Sequence, residues 1–99
     1  MGIQYVGTGR LGAKQTIPYT GTAGTIANPI GAETYKVRVL CTTDAYVLNV
    51  DGPAFAAVTS STGAYLPALM PEYFTVSPGQ KISAIQVSVG GTLEVVEVS

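Results

Sequence analysis

Few side chains in this sequence of 99 residues could support catalysis. It contains no histidine, a single cysteine (Cys41) and 11 % charged residues. Without histidine, Ser-His-Asp and Cys-His catalysis and the usual zinc and copper sites are excluded. Cys41 lies in an apolar stretch, where a cysteine is more often a small core residue than a nucleophile. A lone cysteine also cannot form an internal disulfide.

The remaining candidates for chemistry are weak. Lys81 and Ser83 fall two positions apart, so they share one face of a strand, and a solvated strand face explains them better than a Ser–Lys pair. Gly7-Thr8-Gly9-Arg10 lacks the helix and the Gly-Lys-Ser/Thr ending of a phosphate loop. Glu94 and Glu97 could pair, but they are on opposite strand faces unless a bulge intervenes. Asp44 and Asp51 could pair or help to bind calcium, but they more simply serve turns. The sequence therefore predicts no enzyme, no cofactor and no metal site.

The composition favours a protein that works within an assembly. Hydrophobic residues make up 46 % of the chain, and six acidic and five basic residues give a net charge of −1. A nucleic-acid-binding protein would carry a basic face. A soluble monomer would have about a quarter of its residues charged. No apolar run is long enough to span a membrane and no signal peptide is recognisable, so we expect cytoplasmic synthesis.

The chain is organised as short strands separated by turn residues at intervals of about eight to twelve residues, a spacing typical of all-β proteins. No stretch has the period of a helix. We predict one antiparallel β-sandwich domain over residues 14–99, with roughly eight or nine strands and with Pro18 at a sheet edge or at the start of a strand. Residues 1–13 are predicted to form an extended arm that lies on a neighbour or on its own domain, or else a frayed terminus.

Two hairpins are predicted. In the first, a strand over 34–42 turns at Thr43-Asp44 into a strand over 45–50, with Tyr35, Val37, Val39 and Cys41 on one face. In the second, strands over 81–89 and 92–98 are joined by the three-residue loop Gly90-Gly91-Thr92. This register pairs Val89 with Leu93 and Val87 with Val95. A strand over 73–76 precedes the second hairpin, and the two are joined by a type II turn with Pro78 and Gly79 at its centre.

The second hairpin carries apolar residues on both faces, which indicates either a second sheet or a neighbouring molecule. The surplus is centred on Ile82, Ala84, Val96 and Val98. Among the aromatic residues, strand context favours core packing for Tyr35, Tyr73 and Phe74. The other tyrosines are better suited to an interface than to a glycan platform. The predicted partner contacts are Tyr5, Arg10, Tyr19, Tyr46, Tyr65, Ile82, Val96 and Val98.

Three segments together resemble a group of small structural proteins of tailed bacteriophages. The segments are VRVLCTTDAYV, YLPALMPEYFTVSPGQKISAIQ and GGTLEVVEVS, with a loop of Ser and Thr between the first two. The resemblance covers residues 35–99. Ala45 stands where some of these proteins have histidine or cysteine.

The resemblance implies a β-sandwich of the jelly-roll type that decorates or cements a capsid. Its partner would be the major capsid protein or another virion protein, and it would act as a homo-oligomer in the virion after synthesis in the host cytoplasm. The predicted arm would serve as a strap on the capsid. A head–tail or tail component needs the same fold and remains an alternative. A glycan-binding adhesion module that uses exposed tyrosines is a further one.

Overall fold

A computed structural model describes residues 11–98, and this part of the chain contains strands and no helix. The elements are β1 (Leu11–Tyr19), β2 (Gly24–Thr25), β3 (Lys36–Cys41), β4 (Ala45–Val50), β5 (Ala64–Leu66), β6 (Glu72–Thr75), β7 (Lys81–Gln86) and β8 (Gly91–Val98). The prediction of an all-β protein is therefore confirmed.

The strands form two antiparallel sheets of four strands each. One sheet has the order β1-β8-β3-β6 and the other the order β2-β7-β4-β5. β1 is an edge strand, which is one of the two positions predicted for Pro18, a residue that cannot donate a backbone hydrogen bond. Residues 11–13, which the sequence assigned to an arm, form the start of β1, and Leu11 is in register with Val98 of β8. The rest of the predicted arm lies outside the described residues.

Both predicted hairpins are wrong in their pairing. β3 pairs with β8 and β6, whereas β4 pairs with β7 and β5. β7 and β8 likewise belong to different sheets. The predicted turns at Thr43-Asp44 and Gly90-Gly91 are bends that carry the chain from one sheet to the other. Each crossing lets two successive strands bury their apolar faces on opposite sides of one core, which a flat hairpin could not do.

The core lies between the two sheets. Val37, Val39 and Cys41 of the predicted apolar face are fully buried, whereas Tyr35 of the same face precedes β3 and is exposed. Leu93 and Val95 of β8 face the same way and are in register with Cys41 and Val39. The opposite sheet and the loops complete the cluster with Tyr19, Ile26, Ile30, Ala45, Val47, Leu66, Val76, Ile82 and Ala84.

β7 is covered on both of its faces. Ile82 and Ala84 belong to the core. The opposite sheet, and not a neighbouring molecule, therefore covers the apolar side chains of these two residues. Ser83 points to the other face and is completely buried there. Its hydroxyl is satisfied in this position, because its Oγ accepts hydrogen bonds from the Val58 amide at 3.1 Å and from the Thr25 hydroxyl at 3.0 Å. The β4–β5 loop therefore lies across the outer face of this sheet. Val87, in contrast, is exposed beyond the end of the strand.

Val96 and Val98 lie on the outer face of the first sheet and are nevertheless buried. Val96 is in register with Lys14 on one side and Arg38 on the other. The methylene stems of such residues can cover an apolar neighbour while their charged ends stay in water. Glu94 keeps both cations over this face, at 3.6 Å from Lys14 and 3.4 Å from Arg38.

The loops β2–β3, β4–β5 and β6–β7 meet at one end of the molecule. The predicted type II turn lies there, with the Gln80 amide donating to the Ser77 carbonyl at 3.2 Å and with φ of +89° at Gly79. The side chain of Gln80 donates to Asp51 at 2.8 Å and accepts from Asn49 at 2.9 Å. This network connects the loops at this end of the molecule.

Replacing Gly79 by alanine is expected to destabilise the fold by about 1–2 kcal/mol, because an L side chain is disfavoured at this left-handed backbone conformation. No atom lies within 4 Å of the added methyl group, so backbone strain is the cause. Thermal unfolding should show a melting temperature lowered by roughly 4–8 °C for each kcal/mol. Gly21→Ala is the matched control, since Gly21 lies in an exposed loop without a positive φ. An equal decrease of the melting temperature in Gly79→Ala and Gly21→Ala would contradict this account of the turn.

Candidate protein interface

The four remaining loops meet at the other end of the molecule. These are residues 20–23, 42–44, 67–71 and 87–90, which we call the loop end. Backbone hydrogen bonds join them: the Val87 amide donates to the Asp44 carbonyl at 3.2 Å, and the Gln86 amide donates to the Thr20 carbonyl at 3.1 Å. The alternation of the chain between sheets brings these loops together, although they are distant in sequence.

The loop end exposes large apolar side chains. Leu69 is 66 % exposed, Met70 55 % and Val89 62 %, and Val87 is exposed to a lesser degree. They belong to the loops 67–71 and 87–90, which flank one hollow in the surface of the loop end. A group of exposed apolar side chains on a small protein often indicates a protein–protein interaction site. Methionine is well suited to such a surface because its flexible thioether side chain adapts to an irregular partner.

The backbone holds Leu69 in its outward position. Leu69 has a φ of +59°, a conformation that is rare for a residue other than glycine, asparagine or aspartate. Its amide donates to the Cys41 carbonyl at 2.8 Å, and the preceding amide, of Ala68, donates to the Asp44 carboxylate at 2.8 Å. Such strain is maintained only when the surroundings determine it, and it is concentrated at functional sites.

A hollow of about 270 Å³ lies at the centre of the loop end. Its walls come from three loops and are formed by Thr42, Thr43, Asp44, Ala68, Ser88 and Val89. Hydroxyls and a carboxylate contribute polar groups to these walls, while Leu69, Met70 and Val87 lie on the loops around the hollow. The exposed apolar side chains are the part of this surface suited to the centre of a protein interface, since interface centres are apolar and their rims are polar.

Tyr19 supports the loop end from within the core. Its side chain is 1 % exposed, and its hydroxyl donates to the Thr43 carbonyl at 2.8 Å while accepting from the Thr43 amide at 3.2 Å. Burial raises the pKa of this phenol, and the hydrogen bonds with Thr43 act in the opposite direction. Thr43 in turn donates through its hydroxyl to the Val89 carbonyl at 3.0 Å. A core residue thus connects two loops of the candidate surface.

Tyr65 is the predicted contact residue that the structure leaves open to solvent beside the loop end. It is 54 % exposed, and a hydrogen bond to the Asp44 carboxylate raises the pKa of its phenol. Its ring lies 6.2 Å from that of Tyr46, centroid to centroid, at an interplanar angle of 64°. Tyr46 itself is half-buried.

The other predicted contact residues do not form this surface. Tyr5 and Arg10 lie outside the described residues. Tyr19 belongs to the core, and Ile82, Val96 and Val98 are buried within the chain, so they expose no surface for a partner. The expectations for Tyr35 and Tyr73 are wrong in the opposite sense, because both are exposed, whereas Phe74 packs against the core. Period-two patterns place a residue on a face but do not show where a strand leaves its sheet.

The sequence interpretation missed Leu69, Met70, Val87 and Val89. Leu69 and Met70 are enclosed by Pro67 and Pro71, which indicated only that no long helix forms there. The available signal was the presence of two large apolar residues in a segment that the prolines confine to a loop, because loops run over the surface. Val87 and Val89 were assigned to a strand and therefore interpreted as packed residues.

Two of the side chains considered for chemistry, Cys41 and Glu97, have structural surroundings in the described chain. Burial raises the pKa of the Cys41 thiol to about 11, so it is protonated at neutral pH and a poor nucleophile. Glu97 accepts hydrogen bonds from the Gly31 amide at 3.0 Å and the Thr34 hydroxyl at 2.6 Å, and so secures the β2–β3 loop. Among residues 11–98, no three acidic or cysteine side chains are grouped as metal ligands would be. The same residues include no helix long and apolar enough to cross a bilayer.

Comparison with known proteins identifies no relative, since no protein-family model, curated protein or solved structure matches the chain.

Proposed function

We propose that the protein is a non-enzymatic structural component of a tailed-bacteriophage virion, a decoration or cement protein. Its loop end would dock on the lattice of the major capsid protein and stabilise the head. The observation that carries this proposal is the group of exposed apolar residues held by the strained backbone at Leu69. The sequence resemblance of residues 35–99 supports the phage assignment.

We also propose that the fold is a β-sandwich of the jelly-roll type. The strand order supports this description, because β1 neighbours β8, β2 neighbours β7, β3 neighbours β6 and β4 neighbours β5. These are the pairs formed when one long antiparallel hairpin is folded at its middle and then rolled up. Eight strands in two sheets are the usual form of that architecture, which occurs in viral capsid and lectin domains.

The mechanism is the burial of apolar surface, repeated at many equivalent positions. Leu69 and Met70 are each more than half exposed in the free protein, and their burial would contribute about 1.5–3 kcal/mol per fully covered side chain. Only 11 % of the residues are charged, so association would involve little desolvation of ions. Avidity between linked copies, such as a homo-oligomer, allows each single contact to be modest.

Copy number distinguishes a decoration protein from a head–tail or tail component. The number of chains per particle would be measured by quantitative mass spectrometry, with the major capsid protein as the internal standard. We expect a constant ratio to the major capsid protein, in line with its lattice symmetry. A count of a few copies per particle, as in a ring at the neck or tail, would exclude the decoration role while leaving a structural role intact.

The proposed strap is tested separately. Deletion of residues 1–10 is the appropriate variant, because residues 11–13 belong to β1 and their loss would damage the sheet. If these residues act as a strap, the truncated protein should fold normally and occupy fewer sites on the particle. Full occupancy would remove the strap from the proposal without affecting the docking role of the loop end.

Glycan binding is a second candidate because the ring of Tyr65 is exposed beside that of Tyr46. Exposed aromatic rings can stack on sugars, although two rings at an angle of 64° do not provide one flat platform. A glycan array probed with the wild-type protein and with Tyr65→Ala tests this alternative. Binding that is lost in the variant would favour an adhesion role over a capsid role.

A further inference from the structure

An apolar cavity of about 140 Å³ opens at the side of the molecule between the two sheets. It is lined by Val47, Leu48, Asn49, Ala64, Phe74 and Ile82. Val47 and Ile82 are core residues, so the cavity gives access to the core from outside. It lies on a different part of the surface from the hollow of the loop end, with which it shares no lining residue.

The size and the lining define what the cavity can hold. An apolar cavity of about 150 Å³ stays dry and binds benzene, so this one is suited to a single small apolar group. Ala64 creates the space: it is in register with Val47 across β4 and β5, and its methyl group leaves the mouth open. Phe74 presents an aromatic wall, against which a second ring can pack edge to face. The expected occupant is a group the size of a phenylalanine or leucine side chain.

The edges of both sheets flank this mouth. Ala64 belongs to β5 and Phe74 to β6, and each of these strands is the last one of its sheet in the described chain. The Val76 amide donates to the Tyr35 carbonyl on the β3 side. Because backbone groups alternate in direction along an antiparallel strand, those of Tyr73 and Thr75 are expected to point to the open edge. An extended peptide could therefore form backbone hydrogen bonds beside the cavity.

We propose that this edge is a second docking site, where an extended segment of the major capsid protein pairs with β6 and inserts one apolar side chain into the cavity. This inference rests on the proposed function for the identity of the partner. Addition of a strand to a sheet edge is a recurring mode of peptide recognition, with affinity from backbone hydrogen bonds and specificity from pockets for alternate side chains. Because β6 has a strand on only one side among residues 11–98, a peptide is favoured over a small molecule as the natural occupant.

The first experiment tests the cavity in the isolated full-length protein. Benzene is titrated while the methyl signals of Val47 and Ile82 are followed by NMR. We expect saturable shifts at these methyl groups in the wild type, no saturable shift in Ala64→Leu, and wild-type behaviour in Ala56→Leu. Ala56 is the matched control because it is exposed and does not line the cavity. Ala64→Val fills less of the cavity and replaces Ala64→Leu in the titration if the leucine variant does not fold. Unsaturable shifts, or binding that persists in both Ala64 variants, would overturn the proposal.

The second experiment measures affinity for purified virus heads that lack the protein. Ala64→Leu should bind at least tenfold more weakly than wild type, whereas Ala56→Leu should bind normally. If Ala64→Leu binds normally while loop-end variants do not, the capsid role stands and this second site falls. If no variant and no wild-type protein binds heads, the proposed function fails, although the benzene result still reports on the cavity. A dimer in solution that Ala64→Leu dissociates would identify a second copy as the occupant and overturn the proposal.

Discussion

Replacing Leu69 and Met70 together by aspartate is expected to weaken binding to the virus head severely. The two side chains are the most prominent apolar residues of the β5–β6 loop, at 66 % and 55 % exposed. Loss of their burial removes about 3–6 kcal/mol of binding free energy, which is twice the value for one large apolar side chain. The introduced carboxylates would also have to lose water in the interface. Affinity should therefore fall by roughly 10²–10⁴-fold, which sedimentation with purified heads can measure.

The design of this variant separates docking from folding. Both positions are exposed, and aspartate tolerates the left-handed conformation of Leu69 better than most residues do. The melting temperature should therefore remain close to that of the wild type. Tyr35→Asp is the matched control, because Tyr35 is 64 % exposed and lies in the loop before β3, at the opposite end of the molecule. Normal binding by the double variant would exclude the loop end as the docking surface.

Replacing Tyr19 by alanine is expected to cause the largest loss of stability among single substitutions of a tyrosine in the described chain. Its ring is 1 % exposed, and removal of a buried ring of this size costs about 3–5 kcal/mol. The backbone of Thr43 also loses a donor at 2.8 Å and an acceptor at 3.2 Å. Since a small domain is stable by about 5–15 kcal/mol, the variant should be marginally folded. Urea unfolding followed by tyrosine fluorescence measures the change.

Two further variants separate the ring from the hydroxyl. Tyr19→Phe keeps the ring and should cost about 1–3 kcal/mol, because it leaves the Thr43 amide and carbonyl without their partner. Tyr35→Ala should change the stability by less than about 0.5 kcal/mol, as is usual for exposed positions. If Tyr19→Ala and Tyr35→Ala were equally stable, the account of Tyr19 as a core residue that supports the loop end would be refuted.

The positions of the strands follow largely from local sequence, but their pairing does not. Alternation in β3 identified Val37, Val39 and Cys41 as an inward face, and the pair Pro78-Gly79 identified a type II turn. Both features depend on a few neighbouring residues. The turn residues at Thr43-Asp44 and Gly90-Gly91 mark where the chain reverses, but a reversal within one sheet and a crossing to another have the same local signal.

The face that a strand buries was predictable only where one face is clearly polar. β7 has apolar residues of both parities, and the structure buries Ile82 and Ala84, whereas Val87 and Val89 lie beyond the strand and are exposed. Ser83 could not be predicted as a completely buried residue, because its cover comes from Val58 on a distant loop. Burial here depends on which loop crosses which sheet, and this is a property of the whole topology.

The candidate interface was the least predictable part. Tyrosines outside clear strands were expected at the surface, but Tyr19 is in the core because β1 extends to it and its hydroxyl finds partners at Thr43. Leu69 is exposed because hydrogen bonds from two successive amides, Ala68 and Leu69, fix its loop against Asp44 and Cys41. These partners are at least 24 residues away in sequence. Only the folded arrangement brings them together.

An image of the intact virus particle by electron cryomicroscopy at side-chain resolution tests the central claim most directly. The account predicts two four-stranded sheets bound on the outside of the head, with the loop end against the major capsid protein and with Leu69 and Met70 buried in the contact. A molecule located in the neck or tail would contradict the decoration role. A molecule on the head whose loop end faces the solvent would contradict the docking surface.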